Sequence, residues 1–283
     1  MIVDSKNDII SLRRSQSFNI KTIKDTLQSV TLNPTELCNR RCSFCPRVDE
    51  RVYPNRDLHI SHDTIISIAD KLFEYGFKGR FGWSGNGEPL LTSDIVNKIR
   101  MISKKNPQLS VHEINTNGDR LSKKYIDELY SAGLTHIIVS VYDGEDSLNK
   151  FKEMFAEVSS EKYTLRNSFN LNLSGFTNRG GMVSVNSDLN FGKNPCYFPF
   201  YKLVIDYNGD ILICCDDWAR KSKSELNINT HTLEEIWFSK TFSDYRENLR
   251  VGKRNNVESC KSCNVNGTKV GRENVEKFYE KTN

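Results

Sequence analysis

The eight cysteines of this 283-residue chain form two groups that lie far apart in the sequence. The first group occupies one short segment with the spacing Cys38-x3-Cys42-x2-Cys45. The second group consists of Cys196, Cys214, Cys215, Cys260 and Cys263. In a reducing compartment, cysteines serve metal or redox chemistry more often than disulfide bonding. The grouping therefore predicts two separate sites in two domains.

The first group would supply three thiolates from a single loop. Three protein ligands on a four-iron cluster leave one iron open to a small molecule. Structural zinc sites usually have four protein ligands. Zinc is therefore an alternative that requires a distant residue, such as His59 or His62, to complete the set.

The segment CNRRCSFCPR resembles the cysteine loop of the radical S-adenosylmethionine (SAM) superfamily, including the aromatic Phe44 before the third cysteine. The resemblance implies that Cys38, Cys42 and Cys45 bind a [4Fe-4S] cluster whose open iron chelates the amino and carboxylate groups of SAM. It also implies the reaction, in which an electron from the cluster cleaves SAM and releases a 5′-deoxyadenosyl radical.

Further segments resemble the SAM-binding parts of this superfamily. The run Gly85-Asn86-Gly87-Glu88 resembles the glycine-rich motif whose backbone binds the methionine amino group, and Glu88 would add a compensating negative charge. Glycine allows a ligand to approach the backbone closely. Read alone, the run is also compatible with a tight turn before a helix.

Three polar residues later in the chain are candidates for the remaining SAM contacts. Asn117 could contact the ribose, Ser140 resembles the strand-four residue that binds ribose or carboxylate, and Arg166 could pair with the carboxylate. The alternatives are a turn at Asn117, a plain strand end at Ser140 and a solvent-facing side chain at Arg166.

Four members of the second group, Cys196, Cys214, Cys260 and Cys263, follow one another at intervals of 18, 46 and 3 residues. They resemble the auxiliary-cluster domain called twitch, a short relative of the SPASM domain, which implies a second [4Fe-4S] cluster with four cysteine ligands. A zinc ribbon is the alternative. The fifth cysteine, Cys215, could be a buried structural residue, an alternate ligand or a hydrogen-atom donor to a substrate radical.

The run Asn178-Arg179-Gly180 resembles a motif that precedes the auxiliary domain in related enzymes. In the aminocyclitol dehydrogenases of the superfamily, the matching arginine contacts the substrate. The resemblance therefore implies a substrate contact for Arg179, and anchoring of its loop is the alternative.

Hydrophobic patterns indicate the elements that must position these residues. From residue 30 onward strands alternate with amphipathic helices, which are expected to begin at Ser61, Ser93 and Ser122. This order predicts an α/β fold, a partial (β/α)6 TIM-like barrel, with a weak sixth strand at Leu171–Leu173. Each candidate SAM segment follows a predicted strand, so these segments should meet at the carboxyl edge of the barrel.

A small C-terminal domain should follow the barrel, since Asn208-Gly209 is a strong hairpin signal. We expect an N-terminal extension at residues 1–29, the barrel at 30–185, the auxiliary domain at 186–267 and a charged tail or helix at 268–283. The formal net charge of +4 does not indicate a nucleic-acid partner, and no apolar run is long enough for a membrane span. We therefore expect a cytoplasmic protein.

These observations predict a radical SAM oxidoreductase that oxidises a secondary alcohol of a sugar or aminocyclitol, with the second cluster as electron acceptor. A flavodoxin or ferredoxin would supply the first electron. The alternatives are a redox-neutral epimerase or dehydratase, a peptide- or protein-modifying maturase, and a zinc-stabilised binding module without catalysis.

Overall fold

The structure is a computed structural model that describes residues 2–3, 26–170, 176–184 and 193–280. The weak strand expected at Leu171–Leu173 lies outside the described residues. The expected boundary between residues 185 and 186 and most of the expected N-terminal extension lie outside them as well.

One mixed sheet runs through the described chain. Its strands, in chain order, are β1 (Ile2–Val3), β2 (Ser29–Leu32), β3 (Arg80–Trp83), β4 (Val111–Thr116), β5 (His136–Val141), β6 (Tyr163–Asn167), β7 (Lys202–Ile205) and β8 (Ile211–Leu212). Their order across the sheet is β1-β6-β5-β4-β3-β2-β7-β8. All neighbouring strands are parallel except β7 and β8, which confirms the α/β class predicted from the sequence.

The described helices are α1 (His62–Tyr75), α2 (Ile95–Lys105), α3 (Lys123–Ser131), α4 (Glu145–Met154), α5 (Leu233–Trp237), α6 (Lys240–Arg250) and α7 (Arg272–Glu280). The first four connect successive parallel strands, as the sequence predicts for a partial barrel. Among the helices that the structure describes, none is both long and apolar enough to cross a membrane.

Two of the three predicted helix caps are confirmed. The hydroxyl group of Ser61 accepts a hydrogen bond from the backbone of Thr64, and that of Ser122 accepts one from Tyr125. The prediction for Ser93 is wrong, because Asp94 is the N-cap of α2 and has a positive φ of 52°. The ammonium group of Lys98 instead reaches back to the carbonyl and hydroxyl groups of Ser93.

The parallel strands carry mainly apolar side chains on one face and mainly polar side chains on the other. The first face is fully buried, with residues such as Val30, Phe81, Trp83, Ile114 and Val139. Burying one such side chain stabilises the fold by roughly 1.5–3 kcal/mol. The intervening positions include most of the polar side chains, which β-strand geometry directs to the inside of the curved sheet.

The C-terminal part of the chain is joined to the barrel through the sheet. Strand β7 pairs in parallel with β2, and the β7–β8 hairpin turns at Gly209, whose φ is +87°, as the Asn208-Gly209 signal predicts. The charged tail forms α7, whose Phe278 packs edge-on against Phe200. Strand β1 was not predicted, because two apolar residues in a polar stretch give no periodic signal.

Candidate active site

A cavity of about 260 Å³ lies on the polar inner face of the sheet. Its lining includes the three thiol groups of the first cysteine group and nine other residues singled out in the sequence: Gly85, Asn86, Gly87, Glu88, Asn117, Ser140, Arg166, Arg179 and Cys215. The remaining candidates, Cys196, Cys214, Cys260 and Cys263, are not part of this lining. Segments that are distant in the sequence therefore converge on one space.

The loop that carries the first three cysteines is fixed at its start and in its middle. The Asn55 side chain accepts a hydrogen bond from the Cys38 amide at 2.9 Å and donates one to the Cys38 carbonyl at 3.0 Å. In the middle, the Arg40 guanidinium binds Asp119 beyond β4 and Asp143 beyond β5. The loop is thus tied to the carboxyl ends of two other strands.

An aromatic stack covers the same loop. The Phe44 ring lies parallel to that of Phe176, with 4.1 Å between the ring centroids, and it also contacts Tyr142. The sequence drew attention to Phe44, whereas its two partners come from separate segments and gave no signal.

Burial raises the pKa of each thiol in the first group, and that of Cys42 reaches about 11. The charges of Cys38 and Cys45 contribute to the rise at Cys42, which shows that the three sulfur atoms lie near one another. Such thiols stay protonated at neutral pH until a cation replaces the proton. Three adjoining, half-buried thiols that face a cavity fit a metal cluster with an accessible side.

The Gly85–Glu88 run packs against the segment that follows β2. A Cβ atom added at Gly87 would lie 2.3 Å from the carbonyl oxygen of Thr35. The Asn86 amide donates a hydrogen bond to the Asn33 side chain at 2.9 Å. Glycine is therefore required for this close approach, and the run is held as a fixed backbone surface at the cavity wall.

Glu88 is fully buried and connects this run to the end of β4. Its carboxylate accepts hydrogen bonds from the Thr116 hydroxyl at 2.6 Å, the Asn117 amide at 2.8 Å and the Leu90 amide at 3.0 Å. Burial raises the pKa of Glu88 to about 7, although these three donors favour the charged form. Glu88 is therefore poised to change its charge near neutral pH.

The other polar candidates also interact with one another. The Asn117 side chain donates to Asn39 in the cysteine loop at 2.9 Å. The Ser140 hydroxyl accepts a hydrogen bond from the Arg166 guanidinium and lies 3.3 Å from the Asn115 amide oxygen. Arg166 lies on the cavity side of the sheet rather than facing solvent, so that alternative is excluded.

Deeper in the cavity lie charged residues that the sequence analysis missed. Arg80 on β3 and Glu113 on β4 form a buried ion pair, and Lys202 on β7 is 91% buried with its ammonium group 3.6 Å from the Cys215 sulfur. Each of these charged residues stands beside apolar residues in its strand, which is the pattern of a half-buried strand with one polar face. Only the observed register shows that they face one cavity.

The second cysteine group also forms a buried cluster of thiols. Burial raises the pKa of Cys196 and Cys214, and raises that of Cys260 and Cys263 to about 12. Cys260 and Cys263 add to the rise at Cys214 through their charges, and Cys196 does so at Cys260. A Cβ atom at Gly267 would lie 2.3 Å from the Cys196 sulfur, so the surrounding backbone is shaped around these thiols.

Backbone amides and a buried arginine complete this second site. The sulfur atoms of Cys214 and Cys263 accept hydrogen bonds at 3.4 Å from the amides two residues further on. The buried Arg254 donates to the carbonyl groups of Asn194 and Val265, which joins the segments carrying Cys196 and Cys263. These donors suit thiolate ligands, whose charge needs compensation.

Among the described residues, no three His, Cys, Asp or Glu side chains converge in a way that would hold a single metal ion. The ligands of a four-iron cluster each bind a different iron, so they surround the cluster instead of meeting at one point.

The segment with Arg179 connects the second cysteine site to the cavity. The Asn178 amide donates to the Asn264 side chain at 2.8 Å, which anchors the segment beside Cys263. The Arg179 side chain lines the cavity, lies 3.7 Å from Asp216 and sits over the Trp218 ring at 5.7 Å. Arg179 thus projects from an anchored loop into the shared space.

Comparison with known proteins agrees with this arrangement. The model of the radical SAM superfamily matches residues 32–195, and that of the SPASM iron–sulfur cluster-binding domain matches residues 196–264. A curated relative, the SAM-dependent 2-deoxy-scyllo-inosamine dehydrogenase of Niallia circulans, is 28% identical over 231 residues, which cover 80% of this chain and 88% of that protein. The GTP 3′,8-cyclase of Listeria welshimeri is 31% identical over 112 residues, which cover 40% of this chain and 32% of that protein.

A solved structure, BtrN in complex with AdoMet and 2-DOIA, shares the fold with a TM-score of 0.74 and 24% identity, covering 87% of this chain and 96% of that chain. This likeness confirms the partial-barrel fold. Because the radical SAM model covers more than half of the sequence, the chain belongs to the radical SAM superfamily, as an enzyme that uses SAM and [4Fe-4S] clusters and carries a C-terminal SPASM-type iron–sulfur domain.

Proposed function

We propose that this enzyme oxidises a secondary alcohol of a sugar, aminocyclitol or similar polar small molecule. In this proposal, Cys38, Cys42 and Cys45 hold the cluster that binds SAM, and Gly85 to Glu88 form the wall against which SAM lies. Cys196, Cys214, Cys260 and Cys263 hold the second cluster. Eight free cysteines support a reducing, cytoplasmic setting, in which a flavodoxin or ferredoxin donates the first electron.

One observation carries the proposal. A single cavity, with a polar inner wall, is lined at one place by the first three thiols and at another by Cys215, which adjoins Cys214. The wall contains hydroxyl, amide and charged groups, for example Thr31, Asn115 and the Arg80–Glu113 pair. Such groups can form hydrogen bonds with the hydroxyl groups of a polyol, as the few polar groups of a small-molecule site usually do for their ligand.

Together with SAM, the two clusters would supply a carbon-centred radical that takes a hydrogen atom and a second centre that accepts an electron. The substrate loses a hydrogen atom from its carbinol carbon, a proton from its hydroxyl group and one electron, which gives the ketone. In this proposal Arg179 would orient the hydroxyl-bearing carbon, which its position in the cavity lining and its anchored loop support. The Phe44–Phe176 stack would help to keep the cysteine loop in place beside the cavity.

The relatives support this choice. The dehydrogenase from Niallia circulans matches over most of its own length, whereas the GTP 3′,8-cyclase matches over about a third of its length. A redox-neutral epimerase is a second candidate, because the Cys215 sulfur lines the cavity and a thiol there could return a hydrogen atom to a substrate radical.

The test is anaerobic reconstitution followed by assays with dithionite, SAM and a set of cyclic polyols and amino sugars. We expect about eight irons per chain, 5′-deoxyadenosine and a ketone product in equal amounts. Cys45→Ala should abolish 5′-deoxyadenosine formation because the first cluster loses one of three ligands. Stoichiometric zinc without iron–sulfur absorbance, or normal cleavage by the Cys45 variant, would refute the assignment.

A further inference from the structure

A buried polar cluster lies behind the cavity, between the SAM-binding segments and the second domain. Its charged members are Glu36, Arg47, Asp206 and Arg220, and its neutral members are Asn33, Tyr53 and Asn86. We call this set the interdomain polar cluster. All of its members are at least nine-tenths buried except Arg220, whose side chain is 24% exposed.

The second domain contributes Asp206 and Arg220 to this cluster, and Arg220 lies five residues beyond Cys215. Its guanidinium binds Asp206 at 2.5 Å, the Tyr53 hydroxyl at 2.6 Å and Glu36 at 2.6 Å. The backbone of Arg220 has a φ of +54°, a conformation that residues other than glycine rarely adopt. The contacts with these three partners therefore hold the Arg220 side chain in place and offset its unfavourable backbone conformation.

The partners of Arg220 in turn hold the SAM-binding segments. The Tyr53 hydroxyl accepts a hydrogen bond from the Asn86 side chain at 2.8 Å. The Asn33 side chain donates to Asp206 at 2.6 Å and to Glu36 at 3.1 Å, while its oxygen accepts from the Asn86 amide. Asn86 lies within the Gly85–Glu88 run, so this run rests directly on the interdomain polar cluster.

The cysteine loop rests on the same cluster. Arg47 is two residues beyond Cys45, donates to the Asn86 carbonyl at 2.6 Å and lies over the Tyr53 ring at 4.8 Å. Arg220 lies over the same ring at 5.8 Å. The Tyr53 ring is thus shared by one guanidinium from each domain.

On its other side, Arg220 is connected to the second cysteine site. The Asp217 carboxylate accepts hydrogen bonds from the amides of Lys221 and Ser222, which fixes the turn that carries Arg220. The Ser222 hydroxyl accepts from the amide of Ser259, the residue before Cys260. Hydrogen bonds and the short backbone turn at residues 217–222 therefore connect Ser259, the neighbour of Cys260, to Asn86.

From this connection we propose that Arg220 is a positioning residue through which the folded second domain sets the affinity for SAM at the first site. The cluster holds two arginines and two carboxylates. Without Arg220, Glu36 and Asp206 remain buried with one guanidinium, 3.9 Å from Glu36. Uncompensated buried charge is costly, and Asn33, which bridges both carboxylates, moves with them and releases Asn86.

The proposal rests on SAM binding at the Gly85–Glu88 run, as proposed above. Its test is a titration of the reconstituted enzyme with SAM. Binding is measured as the change in the electron paramagnetic resonance signal of the reduced first cluster. We expect the Arg220→Asn substitution to raise the half-saturating SAM concentration by about tenfold with iron content unchanged. Asparagine is chosen because it tolerates a positive φ. Arg220→Lys should raise it less, because it keeps the charge but not the three-way donor geometry.

Two control variants distinguish a positioning role of Arg220 from a general loss of protein stability. Arg246→Lys alters a fully buried arginine of the second domain that binds the carbonyl groups of Pro199 and Trp237, and it should lower Tm without weakening SAM binding. Adding Glu36→Gln to Arg220→Asn removes the surplus negative charge and should restore part of the lost affinity.

Unchanged SAM saturation in a folded Arg220 variant would overturn the proposal, as would an equal loss in Arg246→Lys. If Arg220→Asn does not fold, Arg220→Lys decides on the same criterion. The proposed function would still stand in each case, since the wild-type enzyme would bind and cleave SAM.

Discussion

Several titratable residues of this enzyme are buried, and the loss of contact with water shifts the pKa of their side chains. Glu88 is the clearest case, since burial raises its pKa to about 7 from the ordinary 4.5. The carboxyl group therefore contributes to folding stability fully below pH 4.5, and this contribution is lost as pH rises toward 7. A positively charged ligand beside Glu88 would favour the ionised form.

We predict from this that SAM binding by the wild-type enzyme strengthens between pH 6 and pH 8 partly because Glu88 becomes ionised. Glu88→Gln keeps an acceptor for the Thr116 hydroxyl but cannot ionise, so its SAM affinity should be lower at pH 8 and depend less on pH. SAM titrations of both proteins across this range measure the difference. Parallel pH profiles would show that Glu88 does not titrate on binding.

Lys202 is a second buried charged residue, and its charge should affect the reduction potential of the second cluster. No described carboxylate pairs with it, and its ammonium group lies 3.6 Å from the sulfur of Cys215, which adjoins a proposed ligand of the second cluster. A nearby cation stabilises the more negative, reduced state of a cluster. Lys202→Met should therefore lower the midpoint potential of the second cluster, by roughly 59 mV for each 1.4 kcal/mol of lost interaction.

Redox titration monitored by electron paramagnetic resonance measures this potential. Lys98→Met is the matched control, because Lys98 is also buried but interacts with Ser93 at the start of α2. Equal potentials in the wild type and the Lys202 variant would contradict the prediction.

At the level of elements, the loops beyond the parallel strands need a backbone that allows close packing. A Cβ atom at Gly87 would lie 2.3 Å from a backbone carbonyl oxygen, whereas one at Gly82 would make only ordinary contact with Glu113 at 3.4 Å. The first glycine belongs to the proposed SAM-binding wall, and the second lies within β3 in the lining of the cavity.

This contrast predicts opposite effects for two small substitutions. Gly87→Ala should abolish measurable SAM binding, because a backbone carbonyl cannot move as a flexible side chain can. Gly82→Ala should leave SAM binding unchanged and raise KM for the alcohol substrate, since the added methyl group narrows the floor. Calorimetric SAM titration and steady-state kinetics distinguish the two, and a loss of SAM binding in the Gly82 variant would place SAM deeper in the cavity.

The sequence predicts these elements well where the signal is local. Ser61 and Ser122 cap helices as expected, and the rim segments are recognisable because each is a continuous motif after a strand. Arg80, Lys202 and Arg220 could not be predicted, because each is a single polar residue whose role depends on register or on partners far away in the chain. Ser93 is not the cap because the helix begins one residue later than predicted, with Asp94 as its N-cap.

In the whole molecule, the two proposed cluster sites belong to one continuous structure. Strand β7 of the C-terminal part is hydrogen-bonded to β2, and Trp237 and Asn274 both bind Thr26 just before β2. The second domain also has its own small apolar cluster around Leu249 and Val257, besides the Arg254 contacts. Contacts other than those to the proposed second cluster therefore also stabilise the fold of the second domain.

The last prediction distinguishes oxidation from epimerisation by removing the second cluster from a domain that these contacts should keep folded. Replacing both Cys260 and Cys263 by Ala should remove the second cluster and spare the first, since these cysteines do not line the cavity. At saturating SAM with dithionite, the variant should still form 5′-deoxyadenosine but almost no ketone, because the substrate radical has no electron acceptor. An epimerase transfers no net electron, so it would keep forming product and would instead lose activity on Cys215→Ala.

Iron analysis and circular dichroism are the necessary controls, because removal of a cluster can unfold a domain that depends on it. Four irons per chain with an unchanged far-ultraviolet spectrum would show that only the second cluster is missing. Under those conditions, a full yield of ketone would rule out the second cluster as the acceptor. A yield that falls with 5′-deoxyadenosine maintained would assign the oxidation to electron transfer between the cavity and the second cysteine site.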